Sequence, residues 1–372
     1  MHSAASDTRV AIVGAGLGGL TCARVLQLHG RSVTVFERET SPDDRPQGGS
    51  LDMHPGTGQT ALRAAGLYEG FRTLCRPEGQ DWRAVDPATA IPVPLDMPDD
   101  DGEERPEIDR GQLRGLLLDS LAPGTVRWGR AVREAIPNGE EGTCGLRFED
   151  GGREDFDLVV GADGAWSRVR PAVSDGVPGY TGVTFIETGL DDCDTRHPTL
   201  ARLVGSGTMV AKDNGTALFA QRNSNGHIRV HLALRAPRDW QESAGLNFAD
   251  TEAVREYLLK RYESWDESLR YVLRHSDSGF VHRRLFALPA PHLWEHVPGV
   301  TLLGDAAHLM PPLGLGANLA MLDGAELAAA LVAEPDVDAA VRAYENVMLP
   351  RSGTHAKECA AGLDHLLPPT GC

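Results

Sequence analysis

Apolar residues fall into two textures along this chain, and each predicts a different kind of sheet. Arg9 to Val13, Ser32 to Phe36 and Phe156 to Val160 are short, largely continuous apolar runs, as expected of buried strands in a parallel sheet. Thr184 to Glu187, Met209 to Lys212, Ala217 to Gln221 and Ile228 to Leu234 alternate instead. The turn sequences Asp213-Asn214-Gly215 and Asn223-Ser224-Asn225-Gly226 separate them, and the region reads as an antiparallel sheet. Further strands are expected at Trp82 to Val85, Val126 to Arg133 and Cys144 to Glu149. Helical periodicity marks Leu20 to His29, Thr57 to Ala65, Asp109 to Leu121, Asp250 to Tyr262, Trp265 to Arg274, Ala317 to Val332 and Val337 to Met348. The predicted class is α/β: a Rossmann-type parallel-sheet domain carrying an inserted antiparallel β-sheet and ending in a C-terminal helix.

The order of the elements locates the chemistry. The first strand runs into Gly14-Ala15-Gly16-Leu17-Gly18-Gly19 and a helix, and the second ends at Glu37, 23 residues after Gly14. Strand, glycine turn, helix and distal acid together form a dinucleotide fingerprint, which by itself does not separate FAD from NAD. Phe156 to Val160 feeds a second acidic turn, Gly161-Ala162-Asp163-Gly164, where ligands of parallel sheets bind. The stretch 301–318, TLLGDAAHLMPPLGLGAN, reads as a strand, Gly304-Asp305, a proline pair and a glycine turn opening a helix. Gly314 and Gly316 permit close backbone approach, and the helix N-terminus favours negative charge. This is a cofactor floor or an ordinary strand, loop and helix. Asp52, among glycines in GGSLDMHPGTG, either caps a helix or meets a ligand. Arg110, in a first helical turn where the dipole disfavours it, points to an anionic ligand or to a salt bridge.

Size and charge narrow the classes. A chain of 372 residues suggests two domains or one with a large insertion. The net charge of −17 argues against nucleic acid and anionic membranes, and part of it lies in Asp96 to Asp109, read as a solvated loop. Six cysteines without a CxxC pair indicate neither zinc nor a disulfide framework and fit a reducing cytoplasm. No uncharged apolar run reaches the roughly 18 residues of a membrane span. The expectation is a cytoplasmic protein, monomeric or a small homo-oligomer, acting on a small molecule.

GxGxxG with Glu37, Asp163-Gly164 and Gly304-Asp305 occur in an order that resembles the single-component FAD-dependent aromatic hydroxylases, the para-hydroxybenzoate hydroxylase type. GGSLDMHPGTGQTALRAAGL (48–67), PEIDRGQLRGLLLDSL (106–121) and GDAAHLMPP (304–312) resemble the tetracycline-inactivating flavin monooxygenases most closely. The resemblance implies an FAD-binding domain made of 1–75, 106–172 and 283–332, a substrate-binding domain of 76–105 and 173–282, and a C-terminal helix and tail of 333–372. It implies that Gly14, Gly16 and Gly19 hold the FAD pyrophosphate and Glu37 the adenosine ribose, with Ala15, Leu17 and Arg38 also in the cofactor-binding set. Asp52 and Arg110 would contact the flavin, Asp163 the pyrophosphate region and Asp305 the ribityl chain. Gly316, Ala317 and Asn318 would lie at the isoalloxazine edge, Pro312 would also bind the cofactor, and Arg45 would meet NADPH, or NADH, as a transient reductant.

The implied activity is oxygen transfer from a C4a-hydroperoxyflavin to a polycyclic aromatic, polyketide or tetracycline-like molecule, by hydroxylation, epoxidation or insertion. No side chain is assigned as acid or base, and His308 is expected to be structural. The substrate pocket is expected at Met209, Phe219 and Leu313, with Glu187, Thr208, Arg222 and Arg229 as polar groups. The chain departs from the family pattern in LGLGAN, one residue shorter than usual. Glu187, Thr208 and Arg229 stand where the tetracycline branch has Gln, Arg and His, which implies a different substrate. The rival readings are an FAD-dependent reductase or dehydrogenase of the same fold and a non-catalytic flavoprotein redox sensor. A flavin halogenase would carry two tryptophans near an Ile-Pro, and Trp82 and Trp166 stand alone.

Overall fold

Val10–Val13 is the middle strand of a five-stranded parallel sheet in the order Val300–Leu302, Leu158–Gly161, Val10–Val13, Val33–Phe36, Val126–Arg127. This computed structural model describes residues 8–44, 47–95, 102–138 and 142–369. The three inner strands are apolar because helices or further strands cover both faces. Helix Leu17–Leu28 and helix Leu315–Ala333 cross at glycines: a Cβ on Gly324 would lie 2.3 Å from the Gly18 carbonyl oxygen, and one on Gly18 would lie 2.5 Å from that of Ala320. Among the described residues Leu315–Ala333 is the one helix long and apolar enough to cross a membrane, and 56% of that stretch is buried inside the protein. A three-stranded antiparallel sheet, Val132–Asn138, Thr143–Phe148 and Arg153–Phe156, leads back into Leu158–Gly161.

The alternating region folds into a seven-stranded sheet. Its order is Val281–Ala287, Gly179–Leu190, Ile228–Arg235, Thr216–Arg222, Thr208–Asp213, Trp82–Val85, Pro92–Val93. Every pair is antiparallel except Thr208–Asp213 with Trp82–Val85. Side-chain alternation splits its faces. Ile186, Met209, Val230 and Leu232 pack under helices Pro198–Val204, Thr251–Arg261 and Glu267–His275. Phe185, Glu187, Phe219 and His231 face a large cavity.

Three expectations need correction. Of the acidic stretch read as a solvated loop, 96–101 lie outside the described residues, and Glu107–Asp109 is a strand paired with Ser50–Asp52 in which Glu107 is buried. The boundary placed between 282 and 283 falls inside strand Val281–Ala287, which pairs with Gly179–Leu190. This is an edge strand, VHRRLFA, and its charges disguise it as a loop while blunting the edge. The last helix runs over Val337–Leu366 rather than ending near Met348. Pro350 would ordinarily stop it. Tertiary contacts carry the helix past the proline: Ala356 and Cys359 pack on Met310 and Leu319, and Leu363 packs on the seven-stranded sheet. Glu345 pins its first half to the parallel sheet, accepting from Thr301 Oγ1 at 2.7 Å and Trp294 Nε1 at 3.1 Å.

Candidate active site

The first turn divides its glycines between packing and access. A Cβ on Gly14 would lie 2.4 Å from the Ala162 carbonyl oxygen and one on Gly19 2.3 Å from that of Gly14, so these two let the turn close on the sheet. A Cβ on Gly16 would meet nothing within 4 Å, and that open side faces the cavity at the N-terminus of Leu17–Leu28. The Glu37 carboxylate accepts from the Ala15 N–H at 2.8 Å and the Glu39 N–H at 3.0 Å, which holds the acid against the turn. Arg114 supports both, donating to the Ala15 carbonyl at 3.0 Å and to Glu39 at 3.0 Å. Sequence reading overlooked Arg114; the available signal was a cation between Leu113 and Leu117 on an otherwise apolar helix face.

The second acidic turn is tied to the floor. Asp163 accepts from Ser167 Oγ at 2.5 Å and from the Arg168 N–H at 2.6 Å. Burial pushes its carboxyl up, and these hydrogen bonds oppose the push. Arg170 donates to the carbonyls of Ala165 and Ala306, each at 2.8 Å, and of Asp305 at 3.2 Å, so the two cavity-lining turns are one body. His308 is structural, as expected. It is buried and bonds Asp323 at 2.6 Å; burial disfavours its charge, but the Asp323 carboxylate outweighs that and raises the imidazole. Asp323 also accepts from Arg351 at 2.9 Å and from the Gly304 N–H at 3.0 Å, fixing the turn that presents Asp305.

Opposite lies a two-stranded ribbon, Ser50–Asp52 with Glu107–Asp109. The Asp52 carboxylate meets His54 at 2.9 Å and stands over Gly314, where a Cβ would lie 3.4 Å from it. Asn318 is fully buried behind the wall. Its amide donates to the Asp52 carbonyl at 2.7 Å and the Gly314 carbonyl at 3.2 Å, and its oxygen accepts from the His54 N–H at 3.0 Å.

On the sheet face, Glu187 bonds Arg283 Nε at 2.6 Å and lies 3.6 Å from His231. Burial works against its charge, but His231 and Arg283 overcome it and hold the carboxyl down at about 2. Phe185, Phe219 and Leu285 supply apolar wall beside this cluster, and Leu363 and Leu366 of the last helix close one side. Arg235 anchors that helix end, donating to the Leu367 carbonyl at 2.8 Å and to Asp364 at 2.7 Å.

A single cavity of about 2720 Å³ joins these parts. Gly14, Gly16, Leu17, Gly19, Glu37, Arg38 and Asp163 line one end, and Asp52, Arg110, Asp305, Pro312, Gly316 and Ala317 the middle. Glu187, Thr208, Phe219 and Leu313 line the sheet end. Five expected residues stand elsewhere. Ala15 is turned to Glu37, and Asn318 is committed to bracing. Met209 is buried in the opposite core, because strand alternation gives the cavity its neighbours Thr208 and Val210. Arg222 likewise points away from the face that shows Phe219 and Gln221, and pairs with Asp194. Arg229 lies behind the wall against Gly49 and 4.0 Å from Glu187. Arg45 falls outside the described residues.

The residues present fit an FAD: an open backbone approach at Gly16, a helix N-terminus, and a cavity several times the roughly 300–1,000 Å³ of a typical small-ligand site. A family model described as "FAD binding domain" matches residues 7–263 and 293–347. Monooxygenase asqM of Emericella nidulans is 32% identical over 87% of this chain and 83% of its own. The 3-amino-4-hydroxybenzoate 2-monooxygenase PtnB3 of Streptomyces platensis is 29% identical over 99% of this chain and 91% of its own. Klebsiella pneumoniae HpxO, solved with FAD and uric acid, superposes with a TM-score of 0.80 at 20% identity, covering 98% of this chain and 90% of that one. Tetracycline destructase Tet(51) superposes at 0.71 and 20% identity, covering 98% and 92%. From the cradle, the cavity and these likenesses, the chain belongs to the FAD binding domain family and is an FAD-dependent monooxygenase.

Proposed function

We propose that this enzyme uses NADPH or NADH and O₂ to hydroxylate, epoxidise or insert oxygen into an electron-rich polycyclic aromatic, polyketide or tetracycline-like molecule in the cytoplasm. The observation that carries the reading is the continuity of one cavity from Gly16 to the Phe185, Phe219 and Glu187 wall, which lets cofactor and substrate share one space. FAD, when bound, supplies the two-electron exchange with the nicotinamide and the activation of O₂. The nucleotide-binding and substrate-binding units described from the sequence belong to this reading, with the sheet unit extended to Ala287.

In this reading the chain positions and shields. The Leu17–Leu28 N-terminus and Gly16 receive the pyrophosphate, Glu37 the adenosine ribose, and Asp305 the ribityl hydroxyls. Asp52 and the Gly314–Ala317 turn frame the ring. Phe185 and Phe219 stack against an aromatic substrate, and His231 with Arg283 orients its oxygen substituents, the Glu187 carboxylate keeping both side chains in place. The names of PtnB3 and the HpxO complex, a substituted benzoate and uric acid, support electron-rich oxygenated rings.

The test is NADPH and NADH oxidation by FAD-loaded enzyme across a panel of polycyclic phenols, enols and aminohydroxybenzoates, with product masses. A product heavier by one oxygen, with stimulated reductant use, supports the reading. Unstimulated oxidation giving peroxide alone across the panel sinks the substrate class and favours a reductase or sensor.

A further inference from the structure

Glu107 lies where the ribbon, the Arg76 loop and the seven-stranded sheet meet, on the cavity wall and 2% exposed. Its Cα is directly opposite that of Asp52 in the ribbon, which brings two carboxylates to one place. The charged groups around it are mostly engaged with others. Arg76 bonds Asp109 at 2.9 Å and Ser50 Oγ at 2.8 Å and stays 3.9 Å from Glu107. His54 is paired with Asp52, and Arg229 packs on Gly49 near Glu187. What reaches the Glu107 oxygens is neutral: Gln221 Nε2 at 3.3 and 3.5 Å, and the Ser50 side chain. The register partner of Gln221 is Thr208, whose buried hydroxyl on the same cavity wall has no protein partner. A buried acid that faces a second carboxylate across the ribbon, takes its hydrogen bonds from neutral groups and has Arg76 held 3.9 Å away is an arrangement for holding a proton.

We propose that Glu107 is the group through which the substrate pocket takes up and releases a proton, accepting it from a phenolic or enolic O–H of the substrate. The substrate O–H bond breaks, an O–H bond forms on the Glu107 carboxyl, and the electron pair stays on the substrate oxygen, enriching the ring. The proton returns to solvent as product leaves. Burial pushes the Glu107 carboxyl up to about 7, with the Asp52 charge adding to the rise and Ser50, Arg76 and Gln221 opposing it, so the exchange falls near neutrality.

The inference rests on the oxygenation of a phenol or enol proposed above, and its first test needs no substrate. Infrared difference spectra of FAD-loaded wild type, E107D and E107Q are recorded from about pH 5 to 9, spanning the neutral range in which such a group titrates. The carbonyl band of a buried carboxylic acid should vanish with a midpoint near neutrality in wild type, shift in E107D and be missing in E107Q. With a turned-over phenol, E107Q should lose about 100-fold in kcat/KM, together with the ionisation that wild type shows near neutrality. E107D should keep that ionisation at a moved midpoint. Identical infrared titrations in wild type and E107Q, or an unchanged pH profile, overturn the proposal. A titrating band with no compound turned over defeats the oxygenation reading and supports the proton site.

Discussion

Asn318 and Asp52, 266 residues apart, are joined by a 2.7 Å hydrogen bond from the Asn318 amide to the Asp52 carbonyl. The same amide oxygen accepts from His54 at 3.0 Å, so the helix that forms the cavity floor and the ribbon beside it are fastened by one buried side chain. Asn318→Ala would leave partly buried backbone groups of residues 52 and 54 unpaired. The expected cost is about 1–3 kcal/mol of stability. Thermal denaturation should show that loss, and flavin-fluorescence titration should show weaker FAD binding. An unchanged FAD affinity would mean that the brace does not shape the site.

The two roles of glycine in the first turn separate by substitution. Gly16→Ala should leave stability within about 0.5 kcal/mol, because its Cβ meets no protein atom. It should nevertheless weaken FAD binding about tenfold or more, roughly 1.4 kcal/mol. Gly19→Ala drives a Cβ to 2.3 Å from the Gly14 carbonyl oxygen and should destabilise the apoprotein by about 1–3 kcal/mol or more. Equal effects of the two on denaturation would contradict this division.

Adjacent residues on one strand should fail differently. Thr208→Val removes a hydroxyl from the cavity wall and should alter KM with little loss of stability. Met209→Ala opens a hole in the core beneath the outer helices and should cost about 2–5 kcal/mol with KM nearly unchanged in the folded fraction. Steady-state kinetics beside chemical denaturation distinguish them, and a KM change for Met209→Ala alone would reverse the assignment of faces.

Glu187 should contribute to acid stability. Its carboxyl is lowered from an ordinary 4.5 to about 2, since His231 and Arg283 beside it outweigh burial. A carboxyl lowered on folding stabilises above its unfolded value, and that contribution is lost as pH falls from about 4.5 toward 2. Glu187→Gln should therefore lower the melting temperature near neutrality and flatten its fall between those pH values. Parallel melting curves for variant and wild type would show that the cluster does not stabilise the fold.

The charged edge strand, the long last helix and the braces show why reading stopped where it did. Val281–Ala287 lacks the alternation of its neighbours because edge strands carry charge against aggregation. Pro350 signals an end that tertiary contacts override. Arg114, Arg170 and Asp323 act on backbone groups far away in sequence, and such partners leave no local pattern.

By itself the sequence determined the class of fold and the local geometry of its glycine turns. Strand, glycine turn and helix occupy adjacent positions, and their chemistry depends on backbone conformations that nearby residues set. Only the tertiary structure decided which side chains face the cavity and which stand behind it. Phase along a strand separates Thr208 from Met209, and packing between distant segments turns Asn318 into a brace and brings Glu107 beside Asp52 and Gln221. Those relations depend on where segments remote in sequence come to rest.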